Sequence, residues 1–125
     1  MPTFIDAPNR IAAPGHPPKR IDEFVGRVRT NDDAVSVAHM RSPSGWSEPG
    51  QRPDFDEHTV VLAGILHVEY EGGSMDVRPG QAVTVRGREW VRYSTPGPDG
   101  AEYIAVCVPA FTFDGAHRTG TTSEN

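Results

Sequence analysis

The side chains that could carry acid–base chemistry are spaced singly along this sequence rather than grouped into a familiar catalytic motif. No GxxxxGK, GxSxG or CxxC occurs, so phosphate loops, nucleophile elbows and paired-cysteine zinc sites are not expected. Glu57 opens a strand-like run in which Thr59 falls on the same side, and an inward carboxylate can act as an acid or base. His39 follows Val35 and Val37 at alternate positions, so we expect it to point inward as a core histidine or as a catalytic partner of Glu57.

The same alternation is used to predict whether other candidate side chains face inward or outward. Tyr93 and Tyr103 can each donate a phenolic hydrogen, but strand parity does not decide whether they face inward. His58 is predicted to face outward because it is adjacent to the inward Glu57, and His67 because Leu66 and Val68 on either side of it pack the core. Cys107 lies within an apolar run and cannot form an intramolecular disulfide, so we interpret it as a core residue.

The elements that must position these side chains are short strands. From residue 34 onward, segments rich in β-branched residues alternate with glycine and proline clusters about every ten residues, which is typical of a sandwich or barrel. No segment keeps a helical period beyond about ten residues. The predicted strands are Ala34–Met40, Glu57–Leu62, Ile65–Tyr70, Met75–Val77, Ala82–Arg86, Trp90–Ser94 and Glu102–Val108.

The length and net charge of the chain restrict the functions that it can have. A chain of 125 residues fits one domain with one continuous core. The net charge of −5 is spread along the sequence, so a nucleic acid is not an expected partner, whereas a small neutral or cationic ligand is. The sequence shows neither a membrane-length apolar run nor a signal pattern, and we expect a cytoplasmic location without membrane contact.

The first 33 residues read as an extended arm within the same fold unit. Five prolines among residues 2–20 exclude a helix interior or a central strand. The segment 21–28 can form either a helical turn or a short strand. We expect the barrel to span residues 34–118, a polar tail to span 119–125, and the arm to cross onto a second subunit of a homodimer.

The order and spacing of the central segments resemble the cupin family. The run Asp56–Leu66 is similar to the glutamate and "VLxGxL" turn of the first cupin motif, and Arg78–Val83 is similar to the "xPGDxV" start of the second. Gly72 and Gly73 fit the hairpin between them. The resemblance implies an all-β, cupin-type double-stranded β-helix, a jelly-roll barrel, with an extended N-terminal arm.

The departures from the cupin pattern concern the metal ligands. The two histidines of the first motif would fall at Gln51 and Pro53, or at Gly50 and Arg52, and the histidine of the second motif at Trp90 or Val91. Only the glutamate, Glu57, remains, so we expect no metal cofactor. The alternative is a divalent transition metal such as Zn, Fe, Ni or Mn held by atypical ligands, with Glu57, His39 and Tyr93 as the candidate set.

The resemblance places Glu57 inside the mouth of the barrel. There it is expected either to act as a general acid or base with a raised pKa, together with His39, or to form a structural salt bridge to Arg52, Arg88 or Arg92. The tryptophans would bracket the pocket, where their flat faces suit stacking. The expected ligand-binding residues are Trp46, Gln51, Arg52, Trp90, Arg92, Tyr93 and Tyr103.

Three functions follow as alternatives. The first is a metal-independent acid–base enzyme of isomerase, cyclase or dehydratase type acting on a small metabolite. The second is a non-catalytic module that binds or senses a small ligand. The third is a metal-dependent dioxygenase or lyase with atypical ligands. The segment 109–118, with two phenylalanines and His117, is expected to fold back as a lid or pack on a partner.

Overall fold

The structure is a computed structural model that describes residues 1–13 and 15–116. His117 and the predicted tail 119–125 lie outside the described residues. The described elements are β1 (Asn9–Ile11), β2 (Arg20–Val25), β3 (Ser36–Ser42), β4 (Trp46–Ser47), β5 (Asp56–Gly64), β6 (Leu66–Tyr70), β7 (Gly73–Val77), β8 (Ala82–Val85), β9 (Val91–Thr95), β10 (Ala101–Val108) and α1 (Phe113–Ala116).

Two antiparallel sheets make up the barrel. One has six strands in the order β1-β2-β3-β10-β5-β8, and the other has four in the order β4-β9-β6-β7. The long central strand β10 pairs with β3 on one side and β5 on the other. Each of the seven predicted segments overlaps a strand, and the all-β prediction is confirmed.

Buried side chains at alternate positions of the strands fill the space between the sheets. On β10, Tyr103, Ala105 and Cys107 are buried while the residues between them are partly exposed. Leu66 and Val68 on β6 are fully buried, and they join the main apolar core. On β6 and β10 the face predicted from apolar alternation therefore supplies the core.

The N-terminal arm packs on its own barrel. β1 pairs with β2, and β2 with β3, so the arm extends the larger sheet and the segment 21–28 begins as a strand. Farther along, the backbones of His16 and Ser47 exchange two hydrogen bonds of 3.1 and 3.2 Å. The arm is thus a strap laid along the barrel rather than a segment that leaves it.

Gly64 allows the close turn between β5 and β6. Its φ is +73°, and an added Cβ would lie 2.1 Å from the carbonyl oxygen of Gly100. Only glycine tolerates both the left-handed backbone and this contact. The glycine of the "VLxGxL" pattern therefore performs the role expected from the sequence.

No helix among the described residues is long and apolar enough to cross a membrane.

Candidate functional site

A small enclosed cavity lies between the two sheets. Its volume is about 20 Å³, close to the space that one water molecule requires. The polar residues lining it are Lys19, Glu48, Gln51, Glu57, Thr59, Tyr93 and Tyr103, and the apolar ones are Ile21, Met40, Phe55 and Phe111. This cavity is therefore lined by many polar side chains and is nearly filled.

Glu57 and Tyr93 form a buried pair in this cavity. Glu57 lies on β5 with 8% of its surface exposed, and the hydroxyl of Tyr93 on β9 donates to its Oε1 at 3.1 Å. Burial, together with the nearby carboxylates of Glu57 and Glu48, raises the pKa of Tyr93 well above its ordinary value. The phenol therefore stays protonated and acts as a donor to the carboxylate. The inward orientation predicted for Glu57 is confirmed, and its chemical role stays a prediction.

A second charged pair comes from the arm. Lys19 Nζ lies 3.3 Å from Glu48 Oε1, and their side chains are only 8% and 2% exposed. The same ammonium lies 4.5 Å from the centroid of the Trp46 ring, a favourable cation–π distance. Lys19 points inward because it shares the alternating face of Ile21 on β2. Sequence reasoning missed Lys19 and Glu48, although a lone lysine next to an apolar strand was a usable signal.

Two further polar side chains face the cavity. Gln51 is 4% exposed, and its Oε1 has no hydrogen-bond partner among the described residues. The Tyr103 hydroxyl and Ser42 Oγ are 2.8 Å apart and form a buried hydrogen bond. Both tyrosines whose direction the sequence left open therefore point inward.

The chain after β10 closes one end of the cavity. Phe111 packs edge-on against Phe55 with ring centroids 5.6 Å apart, and α1 adds Ala116 to this cluster. The expected fold-back is therefore observed up to residue 116. Cys107 packs in the same cluster, and its burial raises the pKa of the thiol, so it is a core residue as predicted.

The predicted inward orientation of His39 is wrong. On β3 the buried positions are Ser36, Ala38, Met40 and Ser42, and His39 lies on the opposite face. Its Nε2 is 2.6 Å from Glu102 Oε2. The apolar run ending at His39 suggested an inward face, but those valines belong to an apolar outer surface of the sheet. His39 is therefore not a catalytic partner of Glu57.

The arginines expected in the site are surface residues. Arg52 pairs with Glu71 at 3.2 Å, and Arg92 pairs with Glu69 at 2.7 Å. Both guanidinium groups lie outside the cavity, because Arg92 occupies an exposed position of β9 and Arg52 an exposed position between β4 and β5. Neither is a ligand-binding residue of this cavity, and the structural salt bridges from Glu57 to Arg52 and Arg92 are also wrong. Arg88, the third arginine considered, lies beside Asp54 at 3.4 Å.

The two tryptophans do not bracket one pocket. Trp46 is 1% exposed and is covered by the arm, with no hydrogen-bond partner for its Nε1 among the described residues. Trp90 lines a different cavity, described below. The outward orientation predicted for His58 and His67 is confirmed, since they bond to Thr84 and Asp76 on the outside of the sheets.

The donor set does not suit a transition metal. Within the part of the chain that the structure describes, no three His, Cys, Asp or Glu side chains converge as a metal site would require. The alternative set of metal ligands, Glu57, His39 and Tyr93, fails because His39 faces away from Glu57. The residues that do converge are Gln51, Glu57 and the protonated phenol of Tyr93, which offer oxygen atoms and no imidazole.

Replacing Tyr93 by phenylalanine tests the charge on Glu57. A hydrogen bond to a charged group contributes about 1.5–3 kcal/mol, against about 0.5–1.5 kcal/mol for a neutral pair. Tyr93→Phe should therefore lower the free energy of unfolding more than Tyr103→Phe, which removes only the bond to Ser42. Urea denaturation of both variants measures the difference, and equal losses would mean that Glu57 is neutral.

Comparison with curated proteins gives one relative. The chain is 44% identical over 99 residues, 79% of its length, to a protein named endoribonuclease YbeY from Myxococcus xanthus. It spans about a third of the length of that relative (34%). No family model matches the chain.

Solved structures define the fold. A predicted oxalate decarboxylase from Thermotoga maritima superposes with a TM-score of 0.69 at 18% identity, covering 87% of this chain and 99% of that one. An RmlC-like cupin with a double-stranded β-helix fold from Methanocaldococcus jannaschii superposes with a TM-score of 0.63 at 16% identity, covering 87% and 88%. Together with the two-sheet topology and the inward Glu57, these likenesses show that the chain has the cupin fold.

Proposed function

We propose that this protein binds a small polar metabolite inside the barrel and transforms it by proton transfer through Glu57. The observation that carries the proposal is the Tyr93 hydroxyl donating to Glu57 Oε1 at 3.1 Å within the cavity. A carboxylate and a phenol in contact can exchange a proton with a ligand that inserts between them. Isomerase, cyclase and dehydratase reactions all need such a step.

The interior also has an acceptor suited to a ligand. The buried Oε1 of Gln51 lacks a partner among the described residues, and a buried unpaired acceptor costs about 1–3 kcal/mol. A hydroxyl or amine of the ligand would supply the missing hydrogen bond. A small polar substrate is also consistent with the name of a similar structure, the predicted oxalate decarboxylase.

Ligand entry requires an opening of the cavity. Its 20 Å³ holds roughly one water, so a metabolite must displace side chains. Lys19 lies between β1 and β2, and Phe111 lies after β10, so neither residue belongs to a strand. Displacing Phe111 would enlarge the cavity without breaking the sheets, whereas displacing Lys19 would also break its buried ion pair with Glu48.

A binding or sensing module remains the second candidate, since the same cavity can hold a ligand without transforming it. Turnover of a bound metabolite separates the enzyme from the binding module.

We do not propose a nuclease activity for this chain, although its curated relative is named a nuclease. The chain matches only a third of that relative, and its net charge of −5 does not favour RNA binding.

Substituting Glu57 by glutamine should abolish turnover while preserving the fold. The amide keeps the volume and can still accept from Tyr93, but it cannot take a proton, and the loss of a general acid or base lowers rates about 10²–10⁴-fold. Ligands are first found by thermal shift with a panel of small hydroxy acids, amines and sugars, and their conversion is then followed by NMR.

Glu102→Gln is the matched control, because this carboxylate lies on the outer face beside His39. Wild-type conversion by Glu57→Gln would refute the proposal. Loss of about 3–5 kcal/mol of stability in that variant would instead indicate a structural ion pair.

We also propose that the activity requires no metal. The converging residues, Gln51, Glu57 and Tyr93, lack the nitrogen or sulfur donors that Zn, Fe, Ni and Mn sites usually combine. Elemental analysis of untreated protein should therefore find well under one equivalent of these metals, and EDTA should leave the melting temperature unchanged. Near one equivalent of metal, together with a lower melting temperature after chelation, would contradict this expectation.

We propose further that the protein is a homodimer joined through the outer face of the larger sheet. Val37, Val60, Ile104 and Val106 form an apolar surface across neighbouring strands of this face. Val60 is 43% exposed. The Arg41–Glu102 pair lies on the same face and gives it both signs of charge, which suits the self-complementary contact of a two-fold dimer. Because the arm packs on its own barrel, this face replaces the arm as the proposed contact.

A lysine at position 60 should convert the dimer to a monomer, since it places two buried charges in the contact. Light scattering after gel filtration at micromolar concentration gives the mass of the wild type and of Val60→Lys. Val28→Lys serves as the control, because Val28 is 58% exposed and lies outside the sheet. A monomeric wild type would reject the proposed contact.

A further inference from the structure

The free edges of the two sheets leave a second cavity. β8 ends the larger sheet and β7 ends the smaller one, and the two strands do not pair. The gap between them has a volume of about 200 Å³. We call it the edge cleft, and its walls are Val68, Tyr70, Met75, Val83, Val85 and Trp90.

The edge cleft is separate from the Glu57 cavity. The two share no lining residue. Val85 of the cleft is the cross-strand neighbour of Glu57, and Val68 is the cross-strand neighbour of Tyr93. The Glu57–Tyr93 pair and its neighbours therefore separate the two cavities. A ligand in the cleft therefore meets an apolar wall rather than the acid–base pair.

The cleft exposes apolar side chains that a folded protein normally covers. Tyr70 and Met75 are 41% and 40% exposed, whereas Val68 beneath them is 1% exposed. Trp90 is held in place because its indole lies directly over Gly50, where an added Cβ would be 2.5 Å from the ring. Two aromatic rings and a flexible methionine thus surround a space large enough for a single-ring compound, since a 150 Å³ apolar cavity holds benzene.

The charges at the rim are negative. Glu71 and Glu89 line the cleft, and no lysine or arginine of the described residues does. Glu71 is 70% exposed on its side chain and pairs only at the surface with Arg52, a contact that a ligand can replace at little cost. Carboxylates beside aromatic faces attract cations and repel anions.

From these observations we infer that the edge cleft binds a small organic cation with one aromatic ring, such as an arylalkylamine. The ring would enter between Trp90 and Met75, and the ammonium group would lie at the rim beside Glu71 and Glu89. The acidic rim excludes aromatic acids of the same size.

The test uses 2-phenylethylamine, 2-phenylethanol and phenylacetate as probes of the full chain. Binding is followed by NMR of the two tryptophan indole N–H signals, assigned with Trp90→Phe. The amine should shift the Trp90 signal and bind about two- to fivefold more tightly than the alcohol. Phenylacetate should bind more weakly than both.

Variants separate the cleft from other surfaces. The double change Glu71→Gln and Glu89→Gln should erase the preference for the amine, and Met75→Lys should prevent its binding. Glu69→Gln is the matched control, since this carboxylate lies one strand position away on the outer face and pairs with Arg92. The inference is overturned if the amine fails to bind at millimolar concentration, if it binds no better than the alcohol, or if Glu69→Gln removes the preference as fully as the double change.

Discussion

The buried ion pair between Lys19 and Glu48 is the constraint on which the rest of the site depends. Its side chains are 8% and 2% exposed, and a charge buried that deeply must be compensated, because an uncompensated one costs several kcal/mol. Lys19 lies within the arm and immediately precedes β2, so its contact with Glu48 also fixes the path of the arm. The His16–Ser47 backbone bonds and the Trp46 ring hold the same segment in place.

The Lys19–Glu48 pair also determines how much space is left in the cavity beside Glu57. With Lys19 inside the barrel, the cavity beside Glu57 has a volume of only about 20 Å³, and the polar side chains that line it lie close enough to bond to one another. Tyr93 and Glu57 do so. The edge cleft lacks such a strap and is larger, about 200 Å³, because the last strands of the two sheets have no partner there. One barrel thus carries a nearly filled cavity around the Glu57–Tyr93 pair and a larger cleft with apolar walls and an acidic rim.

The strands could be predicted because local sequence determines them. Alternation in β6 and β10 and the glycine of the β5–β6 turn gave segments that the structure confirms. Alternation alone does not say which side is the inside when both faces of a strand are apolar. On β3, Val37 lies on the outer face and the inward positions are Ser36, Ala38, Met40 and Ser42, so His39 was assigned to the wrong side.

Contacts between distant segments could not be predicted from spacing. Glu48 was not a candidate, and Lys19 stood in a proline-rich arm that local sequence assigned to the outside. The register also shifts at Phe24 on β2 and at Leu62 on β5, positions that carry no recognisable signal. Tyr103 is different, because the alternation of β10 is unbroken and places it on the same inward face as Cys107.

The most direct test of the buried pair is a double-mutant cycle on Lys19→Met and Glu48→Gln, measured by urea unfolding. Each single change leaves a buried charge without its partner and should cost about 3–5 kcal/mol. The double change removes both charges, so its loss should fall short of the sum of the single losses by at least about 1 kcal/mol. Losses that add to within about 0.5 kcal/mol would show that the two residues do not interact, and would contradict the account of the arm as a strap over the site.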